Sequence, residues 1–202
     1  MLVISSPSGA GKTSLSRRLI LDHPELTLSI SCTTRPPRPG EEDGREYYFV
    51  SPDRFEEMAR EQAFLEYAVV HEHRYGTPRE PVMRALAEGR DVLFDVDYQG
   101  AMSIADGAPR DVVRVFILPP SLAELKRRLH GRAQDKADVI ERRLERGRDE
   151  IRQWVQYDYV TLNDDFDRAY SELAHIYRAE RLRRERNTWL GPFVSRLLDE
   201  ED

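Results

Sequence analysis

Ser6-Pro7-Ser8-Gly9-Ala10-Gly11-Lys12-Thr13 brings two glycines, a lysine and a hydroxyl together within eight residues. That set suits a polyanion. The glycines let the chain turn its N–H groups inward, the lysine adds a full positive charge, and a threonine hydroxyl can ligate a hard divalent cation. The segment is close to the phosphate-loop pattern G-x-x-x-x-G-K-[ST], with Ser6 at the first glycine position. Such a loop needs a strand before it and a helix after it, whose N-terminus adds partial positive charge. Leu2–Ser5 reads as the strand. From Thr13 the residues Leu15, Leu19 and Ile20 recur at helical spacing as far as Asp22, before Pro24. The plain alternative, a strand–turn–helix junction with a chance lysine, has those flanking elements against it.

Other residues offer related chemistry. Asp95 and Asp97 follow the apolar run Val92-Leu93-Phe94. Read as a strand, it points two residues two apart to one side, at the edge where open α/β sheets bind ligands. There a metal or nucleotide role competes with simple solvation of a strand end. Arg35 and Arg38 lie in a loop rich in proline, with Tyr47 and Tyr75 further on. Guanidinium forks and phenol hydroxyls suit phosphate oxygens, although a solvated basic loop explains the arginines equally well. Glu66 sits in the apolar context Phe64-Leu65-Glu66-Tyr67, either on the wet face of an edge strand or buried with a donor. Lys126, Arg127, Arg128, Arg132, Arg142, Arg143 and Arg146 form a cationic stretch. It reads as a mobile lid or as a solvated helix surface, and the neighbouring Glu141 and Glu145 favour solvation for Arg142 and Arg146. His71 and His73 lack a third ligand at suitable spacing and read as surface residues. Cys32 reads as core.

The elements that must position these groups follow from the apolar pattern. Leu28, Ile30 and Cys32 alternate with polar residues and predict one strand. Tyr47–Val50, Phe64–Val70, Val112–Leu118 and Tyr159–Leu162 predict others. Ser51-Pro52-Asp53 opens a helix, and Thr77-Pro78-Arg79-Glu80 and Ser121-Leu122-Ala123-Glu124 read as capping boxes. Helices are also expected at about 99–106, to about 157, and from near Asp165. Alternation of strand and helix predicts a parallel sheet covered by helices. A small mixed insertion at 33–76 and a helical, arginine-rich insertion at 124–154 interrupt it. The core is then 1–32, 77–123 and 155–202.

Composition narrows the function. The 202 residues are 40% hydrophobic and 34% charged, with a net charge of −6. That balance supports a buried core and weighs against a general nucleic-acid binder. One cysteine excludes an internal disulfide framework and a cysteine-based zinc site. The absence of a long apolar run or signal-like start leads to the expectation of a cytoplasmic protein with no membrane partner. Oligomeric state is not encoded in any of these features.

Taken with the phosphate loop, several longer stretches make the chain resemble the bacterial guanylate kinases over nearly its full length. They are Thr33-Thr34-Arg35-Pro36-Pro37-Arg38-Pro39-Gly40-Glu41, Gly44-Arg45-Glu46-Tyr47, Phe64-Leu65-Glu66, Tyr75-Gly76-Thr77, Asp95-Val96-Asp97-Tyr98-Gln99-Gly100, Phe116–Ser121, Arg128–Arg132 and Asn163-Asp164-Asp165. The resemblance implies a P-loop NTPase core with a central parallel sheet, a GMP-binding insertion and an arginine lid. It implies transfer of the γ-phosphoryl of ATP to GMP or dGMP with Mg²⁺. By resemblance, Ser8, Gly9, Ala10, Gly11, Lys12, Thr13, Ser14 and Asn163 bind ATP, with Asn163 near the adenine. Thr13 and Asp95 hold the metal. Arg35, Arg38, Tyr47 and Tyr75 hold the GMP phosphate, and Ser31, Glu66, Thr77 and Asp97 read guanine. Lys12, Arg128, Arg132 and Arg143 surround the transferring group. Ser6, Arg74 and Ala133 depart from the usual pattern, at the first loop glycine, before Tyr75 and after Arg132. A non-catalytic scaffold and a sugar-phosphate kinase are the rival readings. The first is disfavoured by the intact loop and arginines, and the second has no need of Glu66, Asp97 and Ser31 together.

Overall fold

The apolar runs of the sequence become strands buried on both faces, and the amphipathic segments become the helices that cover them. The computed structural model describes residues 1–70, 72–132 and 137–200, apart from the side chains of 131, 132 and 137–139. In chain order the strands are β1 (Leu2–Ser5), β2 (Leu26–Leu28), β3 (Cys32–Thr33), β4 (Tyr48–Phe49), β5 (Phe64–Val70), β6 (His73–Pro78), β7 (Asp91–Asp95), β8 (Val113–Leu118) and β9 (Tyr159–Leu162). The helices are α1 (Lys12–Asp22), α2 (Pro52–Arg60), α3 (Arg79–Ala87), α4 (Tyr98–Gly107), α5 (Leu122–Arg132), α6 (Ala137–Arg152), α7 (Phe166–Arg181) and α8 (Leu190–Asp199).

Five strands form a parallel sheet in the order β2-β7-β1-β8-β9. Alternate side chains of its central strand enter opposite cores, as the two-residue period requires. Leu2 and Ile4 join Leu15, Leu19, Leu93 and Leu173 beneath α1 and α7. Val3 joins Phe94, Ala101, Ile104 and Phe116 on the other face. Full burial of such side chains stabilises by roughly 1.5–3 kcal/mol each. The register sets Asp95 opposite Ile4, so the acidic end of β7 lies beside the end of β1, where the glycine-rich loop begins.

The second sheet has the order β4-β3-β6-β5, with β6 antiparallel to both β3 and β5. Its core is small. Cys32, Phe55 and Phe64 are buried together, and the Phe55 and Phe64 rings stack at 4.6 Å. Ser51 caps α2 by accepting from Arg54 N–H. Gly76 has no room for a side chain, because a Cβ there would come 2.9 Å from Phe64.

Two local expectations are corrected. Leu28 and Cys32 do not share a strand. Ser29 N–H still donates to Leu93 in the central sheet, whereas Ser31 accepts from Tyr48 N–H in the second, so the chain changes sheets at 29–31. The capping box at Thr77 does not form either. Pro78 is the N-cap of α3 and no side chain caps that helix, since the Thr77 hydroxyl is drawn to Glu66. The box at Ser121 does cap α5, with Glu124 N–H donating to Ser121 Oγ.

Phe55→Ala should lower stability by about 3–5 kcal/mol, as expected for a large aromatic removed from a closed site. Urea unfolding measures the loss. Native-state hydrogen exchange should place it in the second sheet, with β1, β7 and β8 keeping most of their protection.

Candidate active site

The loop after β1 turns through Gly9 and Gly11, at φ +95° and +102°, a region that costs L-residues but not glycine. Gly11 then caps α1. The loop is held from behind. Asn163, buried just past β9, donates from Nδ2 to the Ala10 carbonyl at 2.6 Å. Arg128 on α5 reaches the same carbonyl at 3.4 Å, the Asn163 carbonyl at 3.1 Å and Glu124 at 2.7 Å. A Cβ on Gly11 would collide with Asn163 Nδ2 at 2.1 Å.

In front of the loop, Lys12 forms an ion pair with Asp95 and donates to the Val96 carbonyl at 3.0 Å. Thr13 donates its hydroxyl to the other Asp95 oxygen at 3.2 Å. Asp97 is not on the strand face with Asp95, because β7 ends at Asp95. It caps α4 instead, with Oδ1 accepting from Gly100 N–H at 3.0 Å. Its Oδ2 is buried and accepts no hydrogen bond among the described residues.

Glu66 on β5 is register-paired with Thr77 on β6, across an irregularity that follows Phe64. Thr77 Oγ donates to Glu66 Oε1 at 2.6 Å. Gly100 lies so close that a Cβ would stand 3.1 Å from Glu66 Oε2, so the start of α4 packs directly on this carboxyl. Burial pushes the Glu66 carboxyl above its ordinary range, Asp97 adds to the push, and the Thr77 hydroxyl opposes it.

Ser31, Arg35, Arg38, Tyr47 and Tyr75 line the same cleft. The Tyr47 and Tyr75 rings meet edge to face at 5.8 Å, and burial, with Asp95 nearby, pushes the Tyr47 hydroxyl up to about 12. From the opposite side α6 presents Arg142, Arg143, Arg146 and Glu150. Arg143 donates to Ser8 Oγ at 2.8 Å. The cleft measures about 880 Å³ and is continuous from the glycine loop to Glu66.

One comparison decides what such a cleft belongs to: the guanylate kinase family model matches residues 1–180. The chain is a member of the guanylate kinase family. It is 61% identical over 201 residues to a guanylate kinase of Caulobacter vibrioides, covering 100% of this chain and 94% of that one. It is 55% identical to that of Bradyrhizobium diazoefficiens, over 96% of this chain and 89% of that protein. The solved guanylate kinase of Anaplasma phagocytophilum superposes with a TM-score of 0.83 at 31% identity, covering 100% of this chain and 96% of the other.

Within this member of the family most of the expected site residues fall into two groups. Ser8, Gly9, Gly11, Lys12, Thr13, Ser31, Arg35, Arg38, Tyr47, Glu66, Tyr75, Asp95, Asp97 and Arg143 converge on the cleft. Ala10, Thr77, Arg128 and Asn163 are not on the cleft lining: Thr77 is bonded to Glu66, which faces it, and Arg128 and Asn163 are bonded to the Ala10 carbonyl within the glycine loop. Ser14 is exposed on the first turn of α1, outside the cleft lining. The side chain of Arg132, with Ala133 and His71, lies outside the described residues.

Arg142 is exposed and Arg146 half-buried, so the solvated reading holds for Arg142, and both also line the cleft. Glu141 pairs with Lys126 of α5, and Glu145 pairs with Arg148, so neither acid plays the part expected of it. Glu150 was missed altogether. It follows Arg142 by eight residues and Arg146 by four, a helical spacing that marks one face. Burial pushes its carboxyl up.

The raised Glu66 carboxyl carries a stability consequence. A carboxyl whose pKa is higher folded than unfolded penalises the fold once it is ionised, and the penalty vanishes below the unfolded pKa of about 4.5. Glu66→Gln should therefore stabilise the ligand-free protein at neutral pH. The gain should shrink as pH falls through the raised pKa and be gone below about 4.5, as measured by denaturation midpoints across pH.

Proposed function

We propose that ATP places its phosphates on the loop around Lys12 and that GMP occupies the far half of the cleft, receiving the γ-phosphoryl group to give GDP and ADP. The observation that carries this is a pair of carboxyls at the GMP end, buried Glu66 and half-buried Asp97 with its Oδ2 shielded. Glu66 Oε1 is held by Thr77 and Asp97 Oδ1 by Gly100, while buried Asp97 Oδ2 has no donor among the described residues. An unmet buried acceptor costs about 1–3 kcal/mol. Guanine supplies N1–H and an exocyclic NH₂ side by side, the donors such acceptors need. Adenine offers an acceptor at N1 and would face a carboxylate lone pair to lone pair.

Phosphoryl transfer asks the protein for alignment and charge stabilisation rather than covalent help. Lys12 sits where it can follow charge onto the moving group. Arg35, Arg38, Tyr47 and Tyr75 fit the role of holding the acceptor phosphate, with Ser31 beside the base. Arg143 reaches the loop from α6, and Arg142 and Arg146 share that face. Arg128 and Asn163 serve by fixing the loop through Ala10 rather than by facing the cleft. Movement of the arginine-bearing helix over the phosphates would exclude water as a competing acceptor.

The oxygen donors Thr13 Oγ and Asp95 suit Mg²⁺, which takes one or two protein oxygens with phosphate and water making up the rest. Bound there, Mg²⁺ would neutralise charge between the outer phosphates. Asp95 would hold it, and Lys12 would be released from its ion pair toward the phosphate oxygens.

Glu66→Gln tests the base reading. The amide keeps the size and one acceptor but puts a donor against guanine N1–H or NH₂. GMP binding should weaken by about 2–5 kcal/mol, as for a broken buried charged pairing. AMP should lose less, or gain. Steady-state kcat/KM for both nucleotides on both proteins gives the answer. An unchanged GMP-to-AMP ratio would remove Glu66 from base recognition.

A further inference from the structure

Arg35 is held by an acid from its own loop. Its Nη2 donates to both oxygens of Glu41, at 2.9 and 2.8 Å, and its Nη1 donates to the Pro36 carbonyl at 2.6 Å. The same carboxylate accepts from the backbone N–H of Arg38 at 2.7 Å, and Glu41 N–H returns a bond to the Arg38 carbonyl at 3.0 Å. The guanidinium lies 5.4 Å from the Tyr47 ring centre and 5.8 Å from that of Phe49. Both partners are largely buried, with 10% and 16% of their side chains exposed. The root of the loop is also fixed, because Arg35 N–H donates to Thr33 Oγ and Arg74 N–H to Thr34 Oγ.

An acid in the part of the cleft that receives an anionic phosphate should weaken binding by charge alone. Its bonds explain its presence. A long arginine in a proline-rich loop has many rotamers, and a bidentate carboxylate with two aromatic faces leaves it few. Holding Arg38's backbone with the same carboxylate sets the two arginines relative to each other. We propose that Glu41 is a positioning residue that pre-organises Arg35 and Arg38 as one phosphate fork for the acceptor nucleotide. Burial works to raise the Glu41 carboxyl, and Arg38's N–H and the Arg35 guanidinium outweigh it, so the acid stays ionised below the ordinary carboxylate range.

The inference rests on the acceptor phosphate lying at Arg35 and Arg38, and guanosine separates its test from the base reading. Guanosine carries the base and lacks the phosphate. In Glu41→Gln, KM for GMP should rise about tenfold or more, while the inhibition constant of guanosine and KM for ATP stay within twofold of wild type. Glu41→Asp, which keeps the charge but not the reach, should fall between. An unchanged or lowered KM for GMP in Glu41→Gln would overturn the proposal, since a bare counter-charge removed from an anion site predicts tighter binding. Equal weakening of GMP and guanosine would also overturn it, because the substitution would then be disturbing the whole insertion. A shared misfolding effect is visible as a lowered Tm in Glu41→Gln that Glu41→Asp does not repair, and it counts against a positioning role. Loss of guanosine inhibition on Glu66→Gln, with the Glu41 pattern intact, would leave the two readings independently judged.

Discussion

A phosphate loop turns through left-handed glycines, and a turn of that kind keeps its shape only if something outside it holds the backbone. Here the hold is on the Ala10 carbonyl, which takes bonds from Asn163 and Arg128. Those two residues stand 35 positions apart in the chain, on α5 and just past β9. Gly9 is packed against Leu125 and Leu129, so closely that a Cβ would stand 3.3 Å from each. The same leucines form a small core with Ile140 and Leu144 of α6. The loop, the helix carrying the cleft arginines and the end of the sheet are therefore one packed unit. Changing the loop changes where the arginines stand.

The second constraint is electrostatic. A chain of net charge −6 must gather anionic phosphates, and it does so by local arrangement. Several cleft cations are met by an acid or carbonyl: Lys12 by Asp95 and Val96, Arg35 by Glu41, Arg146 by Glu150 at 3.7 Å. These pairings hold the cations in place before substrate arrives, which lowers the reorganisation required when it binds. The acids Glu66 and Asp97 are different. Among the described residues neither forms an ion pair, Thr77 holds Glu66, and Asp97 has one oxygen held by Gly100 and the other without a donor. Acids left half-satisfied beside a cleft discriminate strongly among bases, because the wrong base leaves them unmet.

The sequence made some of this readable and hid the rest for physical reasons. The glycine loop, α1, β7, β8 and the Ser51 and Ser121 caps follow from local patterning and appear in the structure as expected. Period two could not reveal that Leu28 and Cys32 belong to different sheets, since alternation survives a change of pairing partner. Thr77 followed by Pro78 looks like a helix cap locally, and only the tertiary approach of Glu66 redirects its hydroxyl. The acids beside Arg142 and Arg146 in sequence gave no sign that both arginines also line the cleft, because a helix aims adjacent residues in different directions. The resemblance assigns Asn163 and Arg128 to the substrate site, and the bonds both make to the Ala10 carbonyl leave no mark in the sequence. Glu41 stood within the quoted motif, but its hold on Arg35 depends on how the loop folds back and leaves no mark in spacing.

The central claim is that the buried Glu66 carboxyl exists to meet guanine. Carboxyl-carbon NMR of Glu66 across pH, alone and with saturating GMP or AMP, tests it directly. The account predicts a titration midpoint above the ordinary carboxylate range in the free protein, a clear fall when GMP donates to the carboxylate, and no such fall with AMP. A midpoint that GMP leaves where it was, or that AMP lowers as much, would contradict it.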